Sequence, residues 1–149
     1  EVEALVNKAL AYGIFASSST NFMTGVQYEN HANGYLRDKP LLDWFVPLVR
    51  RLSRAGWEPV RHASVQGAGV SGERFGHGDT VYYTLYNDTT APAACTLQID
   101  LASLGFDPAG TTVTEIARQS PIAPKAGRIA VELPPKRTLV IMVAKSFAR

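Results

Sequence analysis

The chain has 149 residues, 46% of them hydrophobic and 19% charged, with a formal charge of +2. These proportions exclude a disordered chain, and the charge is too small to argue for nucleic acid. No apolar run approaches the roughly 18–20 residues of a membrane span, and a single cysteine, Cys95, excludes an internal disulfide framework.

Residues Glu1–Ala11 read as a helix, since Val2, Leu5, Val6, Ala9 and Leu10 recur at helical spacing. Gly13 then supplies a stop signal. Ile14–Ala16 is short and apolar throughout, as expected of a strand covered on both faces in a parallel sheet. Ser17–Asp38 reads as a long loop, and Pro40–Ala55 as a second helix with Leu41, Leu42, Phe45, Leu48, Val49 and Leu52 on one face. Pro40 suits a first helical turn, whereas Pro47 in the interior predicts a kink or a break. Arg50, Arg51 and Arg54 fall in the last turns, where cations complement the helix dipole. Together with Arg61 they are read that way rather than as a phosphate site.

Beyond Trp57 the pattern changes to short alternating strands. Candidates are Pro59–Val65, Val70–Phe75, Thr80–Asn87, Ala94–Asp100, Thr112–Ile116, Ile129–Leu133 and Thr138–Val143. Turn signals such as Asn87-Asp88, Asp107-Pro108 and Pro134-Pro135 separate them. This spacing predicts an antiparallel β-sandwich, with Val81, Tyr83, Leu85, Leu97, Ile99, Ile141 and Val143 as its core. Cys95 lies on the apolar side of one strand and reads as a small buried hydrophobe. The fold class expected is therefore an α/β fragment over residues 1–57, followed by an all-β antiparallel sandwich over 58–149. The strand at 14–16 has no parallel partner in the chain. Because buried backbone groups must be paired, and because the sequence opens at Glu1 in mid-helix, the chain is expected to be a fragment or subunit of a larger molecule.

Gly67, Gly69 and Gly72 match a G-x-G-x-x-G spacing. A dinucleotide fingerprint needs a helix after the glycines; here a strand follows, so the segment reads as a hairpin. His31, His62 and His77 form no i, i+4 pair and have no cysteine cluster near them, so no metal site and no cofactor is expected.

The loop 17–38 carries the functional signal. Long structureless loops in compact domains often carry function, and this one holds Tyr28, Glu29, Asn30, His31, Tyr35, Arg37 and Asp38. Aromatic faces with amides, a carboxylate and a guanidinium suit a carbohydrate. Leaving the C-terminal end of a barrel strand, the loop would stand at the face where barrel enzymes keep their active sites. Glycoside hydrolysis needs two flanking carboxylates. Asp38 is explained as a helix cap and Glu29 as a substrate-orienting or surface charge, so neither is assigned as acid or nucleophile.

Three strings, Gly13-Ile-Phe-Ala-Ser, Tyr35-Leu-Arg-Asp before Trp44-Phe-Val-Pro, and Arg54-Ala-Gly-Trp-Glu-Pro-Val, resemble the closing segment of (β/α)8-barrel glycoside hydrolases. The continuation through Tyr82-Tyr-Thr-Leu-Tyr-Asn and Leu133-Pro-Pro-Lys-Arg-Thr resembles the β-sandwich appended to many such enzymes. The resemblance implies a C-terminal portion, consisting of the last barrel unit plus the sandwich, of an enzyme whose catalytic carboxylates lie earlier in the barrel. Substrate contacts from Tyr28, Glu29, Asn30 and Arg37 are what carries over. The isolated chain is then expected to be inactive, with the remainder of the barrel and a carbohydrate as its partners, and no nucleic acid or membrane. The alternative is a noncatalytic carbohydrate-binding or protein-interaction module, with Tyr82, Tyr86 and Trp57 as its platform.

Overall fold

The computed structural model describes residues 2–15 and 32–146, of which 32–35 by backbone alone. Among the described residues, helices α1 (Val2–Ala11) and α2 (Ala32–Ala55) precede nine strands: β1 (Trp57–Glu58), β2 (Ala63–Gln66), β3 (Val70–Phe75), β4 (Thr80–Asn87), β5 (Ala93–Ile99), β6 (Thr111–Glu115), β7 (Ser120–Ile122), β8 (Arg128–Leu133) and β9 (Thr138–Lys145). All the strand pairs are antiparallel. They make a six-stranded sheet in the order β1-β3-β4-β9-β6-β7 and a three-stranded sheet in the order β2-β5-β8.

One hydrophobic cluster joins the two sheets. Val81, Tyr83, Leu85, Ile141 and Val143 from the larger sheet meet Cys95, Leu97, Ile99 and Ile129 from the smaller. On the opposite face of the larger sheet, Phe75, Val140, Tyr82 and Met142 meet Val6 and Leu10 of α1 and Phe45, Leu48, Val49 and Leu52 of α2. The register explains how one strand serves both clusters. Tyr83 is paired with Ile141 and Leu85 with Leu139, while the intervening Tyr82 is paired with Met142 and Thr84 with Val140. Side chains alternate across a strand, so β4 and β9 are apolar on both faces because both faces are covered.

The apolar stripes of the helices therefore find cover on the chain's own sheet. Each large side chain buried there is worth about 1.5–3 kcal/mol. Val2, Leu5, Ile14, Phe15 and Leu36 remain exposed. Ile14 and Phe15 form no strand within the described residues, where the parallel partner expected for them is not present; Ala16 lies outside the described residues.

The end of α1 is set by Gly13. The Ile14 N–H donates to the Ala9 carbonyl at 2.9 Å and the Gly13 N–H to the Leu10 carbonyl at 3.0 Å, with Gly13 at φ +65°. These are the two bonds of a left-handed helix cap. A Cβ at Gly13 would also lie 2.5 Å from the Phe75 ring, so the turn needs glycine for its backbone and for its contact. Gly72 is constrained by approach alone, since a Cβ there would meet the Thr84 carbonyl and Val65 Cγ2, each at 2.9 Å.

α2 begins at Ala32, eight residues before the expected start at Pro40, and it runs through both Pro40 and Pro47. A proline lacks the N–H that would bond the carbonyl four residues back, here those of Leu36 and Asp43. Both prolines and both of these residues are exposed, so water can take the freed carbonyls. Asp38 is a buried residue inside α2 rather than its cap.

Candidate functional site

A cleft of about 550 Å³ opens where α1, the middle of α2 and the β8–β9 connection converge. Its position is fixed by Asn7, which is 1% exposed. The Asn7 side-chain oxygen accepts the Thr138 N–H at 2.9 Å, and the Thr138 hydroxyl donates to the Asn7 carbonyl at 2.6 Å. Asn7 Nδ2 donates to the Glu3 carbonyl at 2.9 Å. A polar residue in the apolar stripe of α1 thus ties the helix to the start of β9. At the cleft rim Glu3 pairs with Arg137, and the guanidinium holds the Glu3 carboxyl below its usual range.

The α2 side of the cleft is formed by Pro40, Leu41 and Trp44, the opposite side by Glu115, Arg118, Glu132 and Arg137. Glu115 is 5% exposed and its carboxylate accepts the N–H groups of Ala117 at 3.0 Å and Arg118 at 2.8 Å. Those bonds commit Glu115 to shaping the turn after β6. The cleft thus offers a half-buried indole beside guanidinium and carboxylate groups, a lining that can hold a hydroxylated ligand and orient it. Its volume is within the range usual for small-molecule sites.

Of the four residues expected to touch substrate, Tyr28, Glu29 and Asn30 lie outside the described residues. Arg37 is on α2, and its guanidinium forks onto Asp38 at 2.7 and 2.8 Å. It precedes Pro40, Leu41 and Trp44 by three, four and seven residues on the helix, and is not itself among the residues that line the cleft. Residues 32–38, expected as loop, are helical, so the described end of that segment presents its groups from a regular element.

The sequence reading did not single out Asn7, Trp44, Arg118 or Arg137. Asn7 was the findable one, as an amide among Val6, Ala9 and Leu10. The platform expected of a binding module does not assemble. Tyr86 is 3% exposed while Trp57 is 59% exposed, its indole N–H donating to Glu73 at 2.9 Å. The glycines at 67, 69 and 72 are followed by a strand, and Cys95 is buried and unpaired, its thiol pushed up by burial. Among the described residues no group of His, Cys, Asp and Glu could hold a metal, and no helix is long and apolar enough to cross a membrane.

No family model and no curated protein matches the sequence. Solved structures do. A Bacillus halodurans C-125 protein described as a candidate α-N-acetylgalactosaminidase overlaps 96% of this chain at a TM-score of 0.57 and 9% identity, with 31% of its own length covered. The GH27 β-L-arabinopyranosidase of Geobacillus stearothermophilus overlaps 98% of this chain at a TM-score of 0.50 and 7% identity, with 30% of its length covered. The chain therefore spans less than a third of these structures. At such identity what is shared is the fold: two helices on a mostly antiparallel β-structure, as found in part of glycoside hydrolases.

Proposed function

We propose that the chain is the C-terminal portion of a barrel glycoside hydrolase. In this reading residues 1–57 are the last barrel unit and 58–149 the appended sandwich. The segment 17–38 faces substrate, and the catalytic carboxylates belong to the rest of the barrel. The observation that carries the reading is the overlap of 96% of this chain with 31% of a much longer structure. Exposed Leu5, Ile14, Phe15 and Leu36 supply apolar surface on which the rest of a barrel would seat. Scattered apolar exposure is ordinary, so the weight rests on the overlap.

The test uses the assembled enzyme. Replacing Tyr28, Glu29 or Arg37 by Ala is expected to lower kcat/KM on glycoside substrates by about 10- to 150-fold, the value of one lost hydrogen bond to a charged group, with the melting temperature held. Unchanged kinetics in all three variants would remove the substrate-facing role. A far larger loss at Glu29 alone would place it in the catalytic pair. Hydrolysis by the isolated chain at the rate of the assembly would overturn the division of labour.

A further inference from the structure

The second half of α2 carries a feature that the proposed activity does not use. Arg50, Arg51 and Arg54, with Pro47, form one wall of a groove of about 540 Å³, and Gly76, His77, Thr80 and Tyr82 from the β3–β4 hairpin form the other. Helix geometry at about 1.5 Å per residue puts Arg54 some 15 Å along α2 from Trp44, and a smaller hollow of about 240 Å³ lined by Trp44, Pro47, Arg51 and Ala117 lies between groove and cleft. All three arginines are exposed and none has an ion pair among the described residues. No carboxylate lines the groove. Glu58 pairs with Arg74 at 3.2 Å and, at 3.3 Å, with His77 of the groove wall, so one carboxylate stands behind that wall, whereas Asp79 pairs with Lys145 at 2.9 Å. Arg61, grouped with these arginines by sequence, donates instead to the Gly72 carbonyl at 3.1 Å.

Helix-dipole complementation accounts for Arg54, which is in the last turn. The effect falls off within that turn, and so leaves Arg50 and Arg51 unexplained. Arg50 and Arg54 are also like charges at i, i+4, which destabilises a helix. We propose that this groove binds an acidic oligosaccharide, its guanidinium groups forking onto carboxylate or sulfate oxygens. The fork geometry of arginine matches such planar or multi-oxygen anions. Tyr82 and Thr80 add an aromatic ring and a hydroxyl suited to a sugar. Three arginines match the few acidic groups of a short glycan better than the many phosphates a nucleic acid offers. This site needs neither the cleft nor the loop, so it stands or falls apart from the proposed hydrolase reading.

Calorimetric titration of the 149-residue chain with a hexagalacturonate and with a heparin-type hexasaccharide tests it, against a neutral cellohexaose and a ten-nucleotide single-stranded RNA. Binding of either acidic glycan, weakened by added salt, is expected; the stronger of the two identifies the anion as carboxylate or sulfate. Arg50→Ser, Arg51→Ser and Arg54→Ser should each weaken it about tenfold or more, and Arg51→Lys should weaken it less than Arg51→Ser. Melting temperatures of the variants should stay within a few degrees of the parent's, because these side chains are exposed and the serines cost only helix propensity and, at Arg54, the dipole interaction. Equal binding of cellohexaose, tighter binding of the RNA, no binding of either acidic glycan, or affinities unmoved by the three serine variants would each overturn the proposal.

Discussion

Replacing Asn7 should loosen the cleft by releasing α1 from the sheet. Asn7 is buried, and its side-chain oxygen is the partner of the Thr138 N–H. In Asn7→Ala that N–H stays buried without an acceptor, at a cost of about 1–3 kcal/mol. Thr138→Val removes the other bond across the same junction, the hydroxyl donating to the Asn7 carbonyl. That carbonyl keeps its place in the helix, so the loss is an ordinary hydrogen bond of about 0.5–1.5 kcal/mol. The two substitutions therefore predict an order rather than a single value. Asn7→Ala should lower the melting temperature more than Thr138→Val, and by roughly 4–8 °C for a loss near 2 kcal/mol in a chain of this size. Circular dichroism melts, with limited proteolysis of α1 alongside, read both effects. Melting temperatures in the reverse order, or an Asn7→Ala protein melting with the parent, would refute the claim that this amide anchors the helix.

Gly13→Ala should destabilise by about 2 kcal/mol or more, since it places a side chain at φ +65° and against the Phe75 ring, and a left-handed backbone alone costs about 1–2 kcal/mol. Adding Phe75→Leu should relieve the steric part and leave the backbone part, giving a nonzero coupling in a double-mutant cycle of urea unfolding. For Glu3, the folded-state carboxyl lies below the ordinary 4.5 because of Arg137. Its contribution is therefore fully present above that value and is lost as pH falls through the lower folded one. Both partners are partly exposed, so the amount is under about 1 kcal/mol. Urea midpoints should show Glu3→Gln less stable than the parent above the ordinary 4.5, with the gap narrowing steadily as the pH is lowered from there.

The strands beyond Trp57 could be read closely because their residues report local burial. β3 (Val70–Phe75) and β4 (Thr80–Asn87) fall where alternation and turn residues put them. β7 (Ser120–Ile122), three residues with a proline in the middle, carries no such pattern and was missed. The start of α2 was misread for a related reason. Pro40 is a local signal for a boundary, yet a solvent-facing proline can be carried inside a helix whose other face is buried. Arg37 was chosen for its chemistry, and the fold puts it on α2, forked onto Asp38, rather than in a loop.

By itself the sequence determined which residues are apolar, at what period, and hence that two amphipathic helices precede a set of alternating strands. It also fixed Gly13 as the end of α1, because that stop depends on neighbours three to five residues away. What covers each apolar face was decided only in three dimensions. Tyr82, Val140 and Met142 read as the second face of ordinary strands, and Val6, Leu10, Phe45 and Leu52 as stripes in need of a partner; the fold makes each the other's cover. Apolar burial is non-directional, so a stripe states that it must be buried and not against what. The bonds of Asn7 to Thr138, 131 residues away, are settled in the same way, by which surfaces the packed layers bring together.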